Sequence, residues 1–134
     1  MKRKILIVDD EKYILRVLKL KLENGGYEVI CASNGLDGLK KVREDRPDAV
    51  ITDIHIPEID GQRLCEEIRK MEDNQPLIIV ITGRIHKDDR KWTGDMNLRF
   101  IEKPFSPRKI LRIIDLYFAS SLNPLPPMEG DRVG

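Results

Sequence analysis

Carboxylates directly follow two apolar segments of this sequence. In ILIVDDE, residues 5–11, Asp9 and Asp10 come after four aliphatic residues, and Asp53 comes after the largely apolar segment AVIT, residues 49–52. Adjacent carboxylates repel one another, so a pocket holds several of them together only beside a positive charge. Carboxylate oxygens are ligands for a hard divalent cation such as Mg²⁺. One of them can also attack phosphorus and form an aspartyl phosphate.

A hydroxyl group and an ammonium group follow two later apolar segments. Thr82 ends the apolar run that begins at Leu77, and Lys103 comes shortly after LRFI, residues 98–101, in which Arg99 is the one charged residue. Phosphoryl transfer needs positive charge around the transferring oxygens, which a metal ion and Lys103 can supply together. Thr82 can donate a hydrogen bond to a phosphoryl oxygen, although it also fits a purely structural role in a strand.

Short apolar segments alternate with amphipathic ones along the chain. The pattern predicts strands at 5–8, 27–31, 49–52, 77–81 and 98–101. It predicts helices at 11–24, 34–44, 60–71, 86–92 and 106–119, with Gly25-Gly26 ending the first, Asn34 and Ser106 as N-caps, and Pro107 at a first helical position. This alternation is typical of a doubly wound parallel sheet. Such sheets bind ligands at the carboxyl ends of their strands, where the polar groups would converge.

Length and composition favour one globular domain. The chain has 134 residues, 40% of them hydrophobic and 35% charged, with a net charge of +1. We therefore expect no direct nucleic-acid binding, no membrane span and no signal peptide. Cys31 and Cys65 have no CxxC spacing and indicate small hydrophobic residues in a reducing cytoplasm. We expect a domain at 1–119 and a flexible, Pro-rich tail or linker at 120–134.

Four motifs together resemble one known family. They are ILIVDDE, DAVITDIHIPEIDG, LIIVITG and RFIEKPF, and they occur in order within roughly residues 3–119. In this order the chain resembles the receiver domain of two-component response regulators, similar to the single-domain chemotaxis-type regulators. The resemblance implies a flavodoxin-like (βα)5 fold whose five-stranded parallel sheet has the order 2-1-3-4-5.

The resemblance also implies a phosphorylation site with a magnesium ion. Asp53 would be the phosphoacceptor and a metal ligand. Asp10 would bind Mg²⁺ directly, Asp9 would bind it through a water molecule, and His55 would contribute its backbone carbonyl. His55 and Arg84 would occupy the positions that tune dephosphorylation across the family.

Other residues would carry the signal in such a domain. Thr82 would be the switch hydroxyl, Lys103 would bind the phosphoryl group, and Phe100 would be an aromatic side chain that changes rotamer. Phe100 also fits a plain core position. Lys103-Pro104 would be a cis peptide bond, and the loop after Asp53 would be shaped by Pro57, Asp60 and Gly61.

The expected function is a phosphorylation-activated switch rather than an enzyme. Its phosphodonor would be a sensor histidine kinase or a histidine phosphotransfer protein. An output partner would bind the face formed by the fourth predicted helix, the last strand and the last helix, and a homodimer on phosphorylation would be allowed. Two alternatives stay open: a phosphorylation-independent interaction module, and a phosphohydrolase that works through an aspartyl phosphate.

Overall fold

The computed structural model describes residues 2–83 and 98–119. It contains a parallel sheet of the order β2-β1-β3-β4-β5, which confirms the predicted topology. The strands are β1 (Lys4–Val8), β2 (Glu28–Ala32), β3 (Ala49–Asp53), β4 (Leu77–Thr82) and β5 (Arg99–Glu102). The helices are α1 (Lys12–Asn24), α2 (Gly35–Asp45), α3 (Gly61–Arg69) and, in our numbering, α4 (Pro107–Ala119). The helix predicted at 86–92 and the tail predicted at 120–134 lie outside the described residues.

Both faces of the sheet are covered, which explains why its central strands are continuously apolar. In β1, Ile5 and Ile7 pack on the face shared with α1 and α4, while Leu6 and Val8 pack on the face shared with α2 and α3. All six residues of β4 are buried. A parallel strand that is buried on both sides has no solvent-facing positions, so the two-residue alternation of an exposed strand is absent.

Most predicted helix ends are confirmed, whereas several strand ends are shifted by one residue and the third helix is shorter than predicted. Asn34 accepts a hydrogen bond from Asp37 N at 2.7 Å, and Ser106 accepts one from Lys109 N at 3.3 Å. Tyr27, however, precedes β2, because its N–H bonds to the carbonyl of Leu22 in the last turn of α1. The third helix ends at Arg69 and not at 71, where Met71 instead closes a tight turn to Ile68.

A glycine allows α3 to begin directly against the end of β3. Asp60 caps the helix by accepting a hydrogen bond from Arg63 N at 2.8 Å, and Gly61 N donates to Ile54 O at 2.7 Å. A Cβ atom at Gly61 would overlap the carbonyl oxygen of Asp53. Any larger residue would therefore push the helix away from the strand end that carries Asp53.

Candidate functional site

The sheet register brings the functional residues to one edge. Val8 is paired with Thr52, Asp53 with Ile81, and Thr82 with Glu102. Because the strands are parallel, the residues that follow them leave the sheet on the same side. Asp9, Asp53, Thr82 and Lys103 accordingly lie at the carboxyl ends of β1, β3, β4 and β5, as the sequence predicts.

An ion pair between Lys103 and Asp53 forms the centre of this edge. The ammonium Nζ of Lys103 lies 2.8 Å from Asp53 Oδ2, and the two side chains are 23% and 8% exposed. The other carboxylate oxygen of Asp53 accepts a hydrogen bond from His55 N at 3.1 Å. Both oxygens of the predicted phosphoacceptor are therefore held by positive or partly positive groups.

The backbone fixes where the lysine enters the site. Lys103 N donates a hydrogen bond to the carbonyl oxygen of Thr82 at 2.6 Å. The Lys103-Pro104 peptide bond is cis, as the resemblance implies. Lys103 is thus attached to the end of β4, one strand away from Asp53, and its side chain crosses that distance.

Asp9 is a buried carboxylate at this edge of the sheet. It is 2% exposed, and its Oδ1 accepts a hydrogen bond from Glu11 N at 2.9 Å. Burial raises the pKa of Asp9 to about 6, helped by the charge of Asp53 and opposed by the Glu11 N–H and by Lys103. The protein holds this carboxylate in a place that disfavours its charged form.

Burial lowers the pKa of the Lys103 ammonium. The hydrogen bond from Lys103 to Asp53 and the negative charges of Asp53, Asp9 and Glu11 outweigh this effect and raise the pKa overall.

Glu11 is the site residue that the sequence analysis did not predict. Its Oε1 lies 3.7 Å from Lys103 Nζ. Its place directly after Asp9 and Asp10 was the only signal, and no motif separates such a glutamate from an ordinary solvated one.

The predicted magnesium ligands have the right chemistry, but their joint geometry stays a prediction. Across residues 2–83 and 98–119, no group of three or more His, Cys, Asp or Glu side chains is placed to hold a metal ion. Asp10 is exposed, and so is the side chain of His55. The carboxylates are nevertheless the oxygen donors that Mg²⁺ prefers, and a cation would stabilise the buried charge of Asp9.

The predicted switch residues occupy suitable places. Thr82 is buried at the end of β4. Phe100 is half-buried, is paired with Val80, and packs against the α2–α3 side of the core. This position agrees with a core role as well as with a switch role. Arg84, the second predicted tuning residue, lies outside the described residues.

Comparison with known proteins identifies the class. The sequence model described as "Response regulator receiver domain" matches residues 5–115. The chain therefore belongs to the response regulator receiver family of two-component signalling. Domains of this class are signalling switches and are generally not classed as enzymes.

Individual relatives agree with this assignment. The chain is 36% identical over 111 residues to the alkaline phosphatase synthesis transcriptional regulatory protein PhoP of Bacillus subtilis (strain 168), covering 82% of this chain and 46% of that protein. It thus spans about half the length of that relative. A CheY-like receiver domain protein of Methanospirillum hungatei JF-1 has a TM-score of 0.81 at 31% identity, covering 86% of this chain and 92% of that one. A putative response regulator of Chloroflexus aurantiacus J-10-fl has a TM-score of 0.80 at 28% identity, covering 90% and 100%.

None of the helices in the described ranges combines the length and the apolar character that crossing a membrane requires.

Both cysteines are free, with Cys65 buried and Cys31 half-buried. Burial raises the pKa of the Cys65 thiol to about 12 and also raises that of Cys31. Their thiols are therefore poor nucleophiles, which agrees with the predicted structural role.

Proposed function

We propose that this domain is a cytoplasmic, phosphorylation-activated switch. It accepts a phosphoryl group on Asp53 from a sensor histidine kinase or a histidine phosphotransfer protein, with Mg²⁺ as cofactor. The observation that carries the proposal is the 2.8 Å contact between Lys103 Nζ and Asp53 Oδ2 at the carboxyl edge of the sheet. A nearly buried carboxylate beside a positive charge is what a phosphoryl acceptor of this kind requires.

The residues of the site divide the work of phosphoryl transfer. A carboxylate oxygen of Asp53 attacks the phosphorus of a phosphohistidine in line, the P–N bond breaks, and the imidazole nitrogen takes the electron pair. Lys103 moves from Asp53 to a transferring oxygen, and the His55 N–H keeps the carboxyl group oriented. Asp9, Asp10, Asp53 and the carbonyl of His55 are the groups that would hold Mg²⁺, which when bound adds positive charge beside the phosphoryl oxygens.

The phosphoryl group then shifts the domain between two conformations. Thr82 donates a hydrogen bond to a phosphoryl oxygen, and the Phe100 ring follows into the space that this movement leaves. Thr82 and Phe100 lie on the neighbouring strands β4 and β5, two register positions apart, since Thr82 is paired with Glu102 and Phe100 with Val80. The altered surface around β5 and α4 then binds an output partner, a second copy of the domain, or both. Phosphorylation in this scheme shifts a population and does not build a new fold.

Intact-mass spectrometry tests the proposal. The protein is incubated with acetyl phosphate and Mg²⁺, beside an Asp53→Asn variant and a sample containing EDTA. We expect wild-type protein to gain one phosphoryl group, and we expect that gain to be absent in the variant and in EDTA. The Asn side chain keeps the shape of Asp53 but supplies no nucleophilic carboxylate.

The experiment is repeated with beryllofluoride, which binds a carboxylate as a stable mimic of the phosphoryl group. The result then does not depend on how long the aspartyl phosphate survives. Absence of both the phosphoryl adduct and beryllofluoride binding would contradict the proposal and favour a phosphorylation-independent interaction module. Repeated hydrolysis of an added small phosphoester by the wild-type protein would instead favour a phosphohydrolase.

A further inference from the structure

The ammonium of Lys103 lies between two carboxylates. Asp53 Oδ2 is 2.8 Å away and Glu11 Oε1 is 3.7 Å away, so the closer contact is a hydrogen-bonded ion pair and the other is a looser one. The Glu11 side chain is 60% exposed, whereas the Asp53 side chain is 8% exposed. Lys103 therefore has a second, solvated counter-ion at the entrance of the site.

The position of Glu11 is not explained by helix capping. Glu11 occupies the N-cap of α1, yet its side chain accepts no capping hydrogen bond. Its backbone is held instead, because Glu11 N donates to Asp9 Oδ1 and Glu11 O accepts from Leu15 N. The backbone contacts thus fix the residue beside the buried Asp9, while its carboxylate extends to the ammonium of Lys103.

We propose that Glu11 is a positioning residue that sets how strongly Lys103 binds phosphoryl oxygens at Asp53. The inference rests on the proposed function and concerns the same site. A phosphoryl group on Asp53 needs the ammonium for itself, and a second carboxylate within 3.7 Å competes for that ammonium. Glu11 thereby weakens the binding of Lys103 to the phosphoryl group and limits the stability of the protein phosphorylated at Asp53.

The effect is modest and sensitive to salt. Exposed ion pairs contribute little free energy, and ions in solution screen them. Replacing Glu11 with Gln keeps the size of the side chain and removes only its charge. We expect Glu11→Gln to tighten beryllofluoride binding about threefold at low ionic strength, and we expect the gain to shrink as salt is added.

The test combines a binding measurement with a direct observation of Lys103. Calorimetry gives the beryllofluoride affinity at a fixed Mg²⁺ concentration, and NMR follows the Nζ resonance of Lys103 in the unliganded protein. Glu23→Gln is the matched control, since it removes one exposed negative charge from the same helix away from the site. We expect Glu11→Gln to move the Nζ resonance and to raise the affinity, and we expect Glu23→Gln to do neither.

Each other result would overturn the inference. Tight wild-type binding that Glu11→Gln leaves unchanged or weakens would overturn it while leaving the proposed function intact. A gain in affinity with an unmoved Nζ resonance would mean that Glu11 repels the phosphoryl mimic directly and does not act through Lys103. Wild-type protein that fails to bind beryllofluoride would overturn both this inference and the proposed function.

Discussion

Replacing Lys103 with Gln should slow phosphoryl uptake from acetyl phosphate by roughly 100- to 1000-fold. The ammonium is the positively charged side chain that directly contacts Asp53 within the described residues, at 2.8 Å. Glutamine can still donate a hydrogen bond, but it brings no charge to the oxygens on which negative charge accumulates during transfer. The rate at which the intact mass rises by one phosphoryl group measures the effect.

Lys40→Gln is the matched control for this substitution. Lys40 is exposed on α2, away from the carboxyl edge of the sheet, so its loss should leave the rate of uptake nearly unchanged. A thermal unfolding curve for Lys103→Gln establishes that the variant is folded at the assay temperature. A folded Lys103→Gln protein that is phosphorylated at the wild-type rate would show that the ion pair is structural and has no part in transfer.

Replacing Asp9 with Asn should stabilise the metal-free protein by about 3 kcal/mol at about pH 7.5. Burial raises the pKa of Asp9 from 3.8 to about 6, so its ionised form is disfavoured in the folded state. Asparagine keeps the oxygen that accepts the Glu11 N–H, and it carries no charge. Denaturant unfolding in EDTA, followed by circular dichroism, gives the change in the free energy of unfolding.

The raised pKa of Asp9 also determines how the stability gained by Asp9→Asn depends on pH. Because the pKa of Asp9 is higher in the folded state, the folded protein binds the proton more tightly, and the contribution of Asp9 to wild-type stability falls as pH rises from about 4 to about 6. The advantage of Asp9→Asn should therefore vanish below about pH 4, grow up to about pH 6, and stay constant above it.

Asp10→Asn is the control, because Asp10 is the adjacent carboxylate and is exposed. It should change the free energy of unfolding by less than about 1 kcal/mol. Mg²⁺ should stabilise the wild type more than Asp9→Asn, since a bound cation offsets the buried charge. If Asp9→Asn is less stable than the wild type at neutral pH in EDTA, the claim that the buried charge of Asp9 destabilises the metal-free protein is contradicted.

The sequence predicts the fold well because its signals reinforce one another. Continuous aliphatic strands such as β4 can exist only where both faces are covered, and the helices between them supply the cover. Once the sheet is parallel, its topology brings Asp53 and Lys103 to one edge without any further information. The ends of the strands and helices are harder to predict. Tyrosine is common in strands, but the N–H of Tyr27 donates a hydrogen bond to the last turn of α1, so Tyr27 precedes β2.

The finer features of the site depend on contacts that no local pattern encodes. Asp9 and Asp10 are chemically identical neighbours, yet Asp9 is buried and Asp10 is exposed. The backbone N–H of Asp9 still donates a hydrogen bond to the carbonyl oxygen of Ala32 at the end of β2. Glu11 reaches Lys103 across 92 positions of sequence. The close approach of Gly61 to Asp53 likewise follows from how α3 packs on the strand end, although the sequence does indicate a special loop there.

The most direct test of the central claim is to locate the phosphoryl group by chemical trapping. Borohydride reduces an acyl phosphate to an alcohol, so an aspartyl phosphate becomes homoserine and releases phosphate. The protein is phosphorylated with acetyl phosphate and Mg²⁺, trapped with borohydride, digested, and sequenced by tandem mass spectrometry. We predict homoserine at position 53 alone, and none when Mg²⁺ is removed; homoserine at position 9 or 10, or unmodified Asp53 in a protein that has gained a phosphoryl group, would contradict the account.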